Sequence, residues 1–446
     1  MIKKTTIIVF FTVLLISGAY SQNKSIYRLK LELPIVEASG NFELPQKYPT
    51  MNEALKYSKD FYEMSYWGID ETGNRLFNDP NGEKLSNFTF KYIIGLAFAK
   101  YISELPIPLG VWGHEEYHRA VLGNLDISSK NGNWLFTRWD GTVFGVSDQE
   151  LSSLKQNNLS GLLYSYVSGI QYESDLSRHI TIDDFFQKRT LYKNSLILYN
   201  AWYVYDYFRF STSNKSDSVK VKAPDNESSN PLERDFAGAD LTAWVYDMFN
   251  PDTPYTNRDA FPEGEGVNRR IGFTDLSPEA GDYLKRQKNL SLLNFLNPAI
   301  FFINRIEINN NFSFTLFTQY APTHFGNDIA VYFPFKLKEN NLLINIHRYS
   351  NKDKTGLGLG AGAYNLRLSD KIEGDIKLDV WNQPETFFSH KMRSGGYLNL
   401  ESRYHINKNL AIAIGVDGKT KGWMIGEPSL KSNISVQAGF NYQLSK

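Results

Sequence analysis

The chain contains no cysteine among its 446 residues. That excludes thiol catalysis, cysteine-ligated zinc, iron–sulfur clusters and a disulfide scaffold. It also has no surplus charge, with 48 Lys and Arg against 48 Asp and Glu. Without a basic excess to neutralise phosphates, nucleic acid is not an expected partner. Mean hydropathy is negative, and beyond the N-terminus no long apolar run occurs, which excludes a polytopic helical membrane protein. A chain of this length is consistent with two or three domains of ~150 residues, so no metal is needed merely to hold a core.

What is present begins with a targeting segment. Lys3 and Lys4 precede an apolar run from Ile7 to Ile16, and Ala19-Tyr20-Ser21 follow. This pattern predicts a secretory signal peptide over residues 1–21, cleaved before Gln22. No cysteine is available for a lipoprotein anchor, so the expectation is an exported protein of the bacterial envelope. Aromatics are abundant, with 27 Tyr and 30 Phe, a composition suited to sheets and membrane interfaces.

Residues 22–297 read as mainly helical. Thr50-Met-Asn-Glu53 and Ser147-Asp-Gln-Glu150 are capping boxes, and Ser277-Pro278 places a cap before a first-turn proline. Apolar helices are expected near Phe88–Ser103, Leu159–Tyr172 and Ser195–Phe210. Asn131-Gly132 predicts a hairpin turn between Ile127-Ser128 and Trp134–Phe136. Residues 211–232 are polar and read as an exposed, disordered loop, and 250–272 as a long ordered one.

After Pro298 the apolar period becomes two. Ile372, Ile376, Leu378 and Val380 alternate with Glu373, Asp375, Lys377 and Asp379, and 410–417 and 434–444 alternate likewise. About eight or nine antiparallel strands are expected over 298–446. Their length and polar or small second face match a small outer-membrane β-barrel, although the chain does not end on an aromatic residue. A soluble periplasmic β-domain is the alternative. Gly356-Leu-Gly-Leu-Gly-Ala-Gly362 lies inside this strand pattern and opens no helix, so it is not a phosphate loop.

One motif carries chemistry: His114-Glu115-Glu116-Tyr117-His118, an H-E-x-x-H sequence. On a helix, residues four apart share a face, so two imidazoles can hold one Zn²⁺ while Glu115 reaches a metal-bound water. A chance match is expected only roughly 0.005 times in a chain of this composition. Pro106 and Pro108 break the chain before the motif, Gly110–Gly113 supply a helix start and Gly123 a stop.

These residues resemble the H-E-x-x-H zincin metallopeptidases. The resemblance implies His114 and His118 as ligands and Glu115 as general base. The metzincin continuation is absent, since Val121 and Asn124 stand at its Gly and His positions. In the gluzincin branch the third ligand is a Glu on a later helix. Glu173 is the first candidate here, with Asp175, His179, Asp206 and Asp240 as others. Asp240 lies in a helix-like stretch from which it could instead support a ligating His. The E-x-x-x-D pattern around that Glu is not met, because Ser177 occupies the last position. The Asn-Pro-x-x-Asp-Gly feature of site-2-type intramembrane proteases is missing as well.

The combined expectation is an α+β protein: a mainly helical zincin-like domain over 22–297 and a C-terminal antiparallel β-barrel of about eight strands over 298–446. Its function reads as a zinc-dependent hydrolase of the cell envelope, foremost a peptidase, acting on a polypeptide or envelope-associated substrate. The helical domain would be periplasmic and the barrel would sit in outer-membrane lipid. The competing reading is a non-enzymatic outer-membrane structural or assembly protein whose metal site is structural or vestigial.

Overall fold

The computed structural model describes residues 27–39, 49–82, 84–132, 141–187 and 193–445. The expected signal peptide and the hairpin partner Trp134–Phe136 lie outside these residues. Ten α-helices are described: α1 (Met51–Leu76), α2 (Leu85–Ala97), α3 (Gly110–Asn124), α4 (Asp148–Asn157), α5 (Leu159–Gln187), α6 (Asn194–Ser211), α7 (Asn214–Val221), α8 (Ala223–Asn226), α9 (Asp240–Phe249) and α10 (Pro278–Ser291). Local chemistry places their starts. Thr50 Oγ1 accepts the Glu53 N–H at 3.1 Å while Glu53 accepts the Thr50 N–H at 3.1 Å. Ser147 and Glu150 repeat this box on α4, and Ser277 caps α10 with Pro278 in its first turn. α2 runs on into a π-helical turn, Phe98–Ile102.

Two expectations about the helical part change. α5 continues for 29 residues, well past Tyr172. Its polar second half finds protein partners: Asn297 donates to Thr181 at 2.9 Å and Asn200 donates to Ser177 at 3.1 Å. The segment 211–232 is not a disordered loop but holds α7, α8 and a 3₁₀ turn at Pro231–Glu233. Its few apolar residues are replaced by polar ties: Asp217 accepts the Thr274 N–H at 2.9 Å and Lys220 pairs with Asp275 at 2.8 Å.

Thirteen strands occur among the described residues: β1 (Tyr27–Ser39), β2 (Lys130–Asn131), β3 (Val143–Phe144), β4 (Ile306–Asn309), β5 (Phe312–Phe314), β6 (Phe317–Thr323), β7 (Gly326–Leu337), β8 (Asn340–Ser350), β9 (Thr355–Arg367), β10 (Ile372–Pro384), β11 (Met392–His405), β12 (Leu410–Lys419) and β13 (Asn433–Ser445). All but β2 and β3 form one eleven-stranded sheet in the order β1-β13-β12-β11-β10-β9-β8-β7-β5-β4, with β6 also on β7. Its pairings are antiparallel throughout.

The expected closed barrel is not formed: among the described residues, β1 and β4 end the sheet without meeting. α1 stands where a closing strand would pair. Asp60 accepts the Glu32 N–H at 2.7 Å and Tyr57 donates to the Pro34 carbonyl at 3.3 Å, so the free edge of β1 is satisfied by a helix.

The sheet is inverted relative to one in water. Along β10, Asp379, Trp381 and Gln383 are buried while Ile376, Leu378 and Val380 are exposed. β8 buries Asn341, Asn345 and His347 and exposes Ile344 and Ile346, and β12 buries Asp417 and Lys419 and exposes Ile412, Ile414 and Val416. The buried polar row is tied together: Asn345 donates to Asp379 at 2.8 Å and Arg403 pairs with Asp375 at 2.6 Å. The glycines of β9 serve this inner face, since a Cβ on Gly360 would overlap the Asp379 and Asn345 side chains.

Helices and sheet share one apolar core, in which Trp244 and Tyr172 join Tyr320, Trp381 and Trp423. Trp244 donates to the Thr323 carbonyl at 3.1 Å across the boundary. No helix among the described residues is long and apolar enough to cross a membrane.

Candidate metal centre

The H-E-x-x-H residues lie on α3, which starts at Gly110 after the two prolines and ends at Asn124. α3 crosses α5 at close range because glycine occupies both sides of the crossing. A Cβ on Gly113 would strike the Tyr172 ring, and one on Gly169 would overlap Nε2 of both His114 and His118. Gly169 therefore leaves open the space in front of the two imidazoles.

His114 and His118 are buried, with ring centroids 4.9 Å apart. The third member is Asp240, at the first position of α9. Its Oδ2 lies 3.4 Å from His114 Nε2 and 3.3 Å from His118 Nε2. One donor atom from each of the three residues falls within 4.8 Å of the others, so the group could hold a metal ion. The Tyr207 hydroxyl donates to the same Oδ2 at 2.9 Å, and the Asp240 N–H donates back to that hydroxyl at 3.3 Å.

The far sides of the rings fix their chemistry. His118 Nδ1 donates to the Ser165 carbonyl at 2.5 Å, and a carbonyl can only accept. His114 Nδ1 lies 3.1 Å from Glu173 Oε1. With both Nδ1 atoms carrying hydrogen, the neutral rings turn two Nε2 lone pairs toward a carboxylate oxygen. Three electron-pair donors then face one another, and positive charge must lie among them, as ring protons or as a metal cation. The donor set of two imidazoles and a carboxylate is one that could hold a metal cation.

The electrostatics agree. Burial alone would lower the His114 pKa, but the Glu173 carboxylate and the Asp240 hydrogen bond outweigh it and hold it well above the usual range. Burial would raise Asp240, yet His118 and His114 carry it below the ordinary carboxylate range. Glu115 goes the other way: burial, then Asp235, Asp240 and Glu173, push its carboxyl well up, against the pull of His114. Its neighbour Glu116 is tied down, accepting from Arg119 at 2.6 Å and Asn131 at 3.0 Å. The two glutamates of the motif thus have separate roles, and only Glu115 belongs to the site's electrostatics.

The structure brings together His114, Glu115, His118 and Glu173, but Glu173 touches the outer nitrogen of His114 rather than joining the converging atoms. Asp240 takes that place. Asp175 Oδ2 accepts from Tyr117 at 2.8 Å, and its Oδ1 pairs with Arg178 and lies 3.6 Å from His179 Nε2. Asp206 pairs with Arg209 at an exposed position. Gly169 and Tyr207 were not singled out from sequence, because nothing local marks a helix crossing or a hydroxyl that reaches another helix. No protein-family model matches the chain, and no curated protein matches it.

Proposed function

We propose that the protein is a metal-dependent hydrolase of the bacterial envelope, foremost a zinc peptidase, with His114, His118 and Asp240 as ligands. The observation that carries this reading is the convergence of both Nε2 atoms on Asp240 Oδ2 beside the buried Glu115. When bound, zinc supplies a Lewis acid that acidifies water and polarises a carbonyl. Glu115 would take up the proton of the attacking water and pass it to the leaving amine, a task suited to a buried carboxylate whose proton affinity is raised by its surroundings. Glu173 and the Ser165 carbonyl hold the two rings in the tautomer that presents Nε2. Tyr207 orients the Asp240 carboxylate. The resemblance to zincins supports the same roles for His114, Glu115 and His118.

The sheet supports the location. A face of Ile, Leu and Val pointing away from a polar interior suits hydrocarbon rather than water. It also favours the second reading, a non-enzymatic outer-membrane component. Glu115→Gln separates the two. Elemental mass spectrometry of the purified protein is expected to find about one zinc per chain in the wild type and in Glu115→Gln, and none in His114→Ala/His118→Ala. Peptide hydrolysis by Glu115→Gln is expected to fall at least ~100-fold. Absence of zinc after reconstitution would sink the metal reading. Zinc without any hydrolysis by the wild type would leave the structural one.

A further inference from the structure

The helical part carries an apolar surface of its own, on the side of α6 away from the core. Ile93 and Ile94 of α2, Tyr101 of the π turn, Trp202 of α6, and Leu296 and Phe301 of the segment leading to β4 are all exposed. Two of the segments that carry them meet, since Phe302 lies edge-on to Phe88 at 5.3 Å and to Tyr92 of α2 at 5.2 Å. The stretch Leu85–Ser103 contains no acidic residue, and Lys100 is its exposed charge. With 13 residues plus the five of the π turn, the helix is not long and apolar enough to cross a bilayer but is long enough to lie in its surface.

What covers this patch follows from its continuation. Phe301 leads along the chain to Ile306 and Ile308 of β4, both exposed. β4 pairs with β5 and β5 with β7, whose outward row includes Phe333 and Phe335. Phe312, Phe314, Phe333 and Phe335 stack side by side there, with neighbouring centroids 5.4–5.9 Å apart. The patch thus runs into the outer face of the inverted sheet through an aromatic cluster, the arrangement expected at a membrane–water interface.

The same patch touches the metal centre through α6. Trp202 contacts Tyr199 at 6.1 Å, Tyr199 contacts Tyr203 at 6.1 Å, and Tyr203 contacts the His114 ring at 6.1 Å. Three ring contacts therefore separate the exposed surface from a candidate ligand, and Tyr207, one turn on, binds Asp240.

We propose that this surface seats the helical unit on phospholipid and that the metal centre takes its substrate from the membrane: a membrane-anchored polypeptide, cut close to its anchor. The proposal rests on the hydrolase reading for its chemistry and on the sheet's outer face for its orientation. A substrate anchored in the lipid surface meets the helical unit with its anchor still immersed, so the seat itself supplies binding.

The absence of native cysteine makes the test direct. Single variants Ile94→Cys, Leu378→Cys and Glu263→Cys, each labelled with a bimane fluorophore, are bound to phosphatidylethanolamine–phosphatidylglycerol vesicles containing spin-labelled lipid. Quenching is expected at positions 94 and 378 and not at 263. Quenching at 378 alone overturns the seat while leaving the sheet in lipid. Quenching at neither overturns the lipid reading of both surfaces, and equal quenching at all three marks adsorption and overturns the seat. In a second arm, a mixed peptide pool is offered with and without an N-terminal palmitoyl chain on the same vesicles. Cleavage at least tenfold faster for the acylated pool is expected. Equal rates overturn the substrate assignment, and no cleavage of either pool overturns the hydrolase reading beneath it.

Discussion

The two halves of the molecule solve burial in opposite ways. Around α5 and α9 the interior is apolar and aromatic, and charge enters it only as closed clusters. Asp247 accepts from Lys155 at 2.8 Å, Arg258 at 2.8 Å and Tyr166 at 3.1 Å, all buried. In the sheet the polar side chains form the interior surface itself, and the aliphatic ones point out. A cavity of about 200 Å³ lies between α1, α5 and the sheet, lined by charges of both signs, among them Lys59, Arg178, Asp375 and Arg403. The helical half keeps its charge in closed buried clusters, whereas the sheet turns its charge inward and its aliphatic side chains outward. A substitution of one chemical kind should therefore have different consequences in the two halves.

The largest effect is expected in the helical core. Asp247→Ala leaves Lys155 and Arg258 buried without their shared carboxylate. Removing one partner of a buried ion cluster costs about 3–5 kcal/mol, so chemical denaturation should show a loss of that size. A loss below about 1 kcal/mol would mean that water reaches this cluster and that the interior is less dry than its burial implies.

On the sheet's outer face the sign of the medium decides. Leu378→Arg is expected to cost about 2–4 kcal/mol of folding stability in phosphatidylcholine vesicles if the position faces hydrocarbon. The same change at a water-facing position stays within about 0.5 kcal/mol. Urea titration of the reconstituted protein separates these outcomes, and the smaller figure would erase the contrast between the halves.

Much of this contrast was legible in the sequence, and the limits follow from what local patterns encode. Alternation in β10, β12 and β13 located the strands, and the capping boxes at Thr50 and Ser147 located α1 and α4. Alternation alone does not say which face is buried, so the inversion required three-dimensional structure. β1 was overlooked although Leu29, Leu31 and Leu33 alternate with Lys30 and Glu32, because its partner β13 lies at the far end of the chain. Closure failed as an expectation because Asp60 and Tyr57 occupy the edge of β1, a contact no strand pattern reveals. At the centre, the i, i+4 spacing gave His114 and His118 directly. Asp240 and Glu173 lie on other helices, where spacing carries no information about which carboxylate meets which ring nitrogen.

The boundary between the halves should also be sensitive to pH. Burial foremost raises the Asp60 carboxyl to about 7, with the Glu32 N–H pulling the other way. Between about pH 4 and pH 7 the folded protein then holds a proton that the unfolded chain has released. Stability falls as pH rises through that window and levels off above it. At about 1.4 kcal/mol per pKa unit, the loss has an upper bound of roughly 4 kcal/mol. Asp60→Asn keeps an oxygen for the Glu32 N–H and removes the titration, so the slope of Tm against pH should flatten. An unchanged slope would mean that Asp60 is hydrated and that the α1–β1 edge is open.

The smallest effect sharpens the centre itself by contrasting the two carboxylates that touch His114. If Asp240 is a ligand, Asp240→Ala removes one of three donors, and zinc should be lost on dialysis against a mild chelator. Glu173 acts on the opposite nitrogen, where it fixes the ring's tautomer and adds to its basicity. Loss of such an outer partner weakens metal binding about 10–100-fold without abolishing it, so Glu173→Gln should retain zinc at micromolar free metal and release it sooner under competition. Because Glu173 favours the protonated imidazole, the wild type must expel a proton to take up metal, and zinc affinity should rise with pH. In Glu173→Gln that dependence should weaken, since the group holding the proton is gone. The reverse ranking, with zinc kept by Asp240→Ala and lost by Glu173→Gln, would exchange the two roles and return the third ligand to α5.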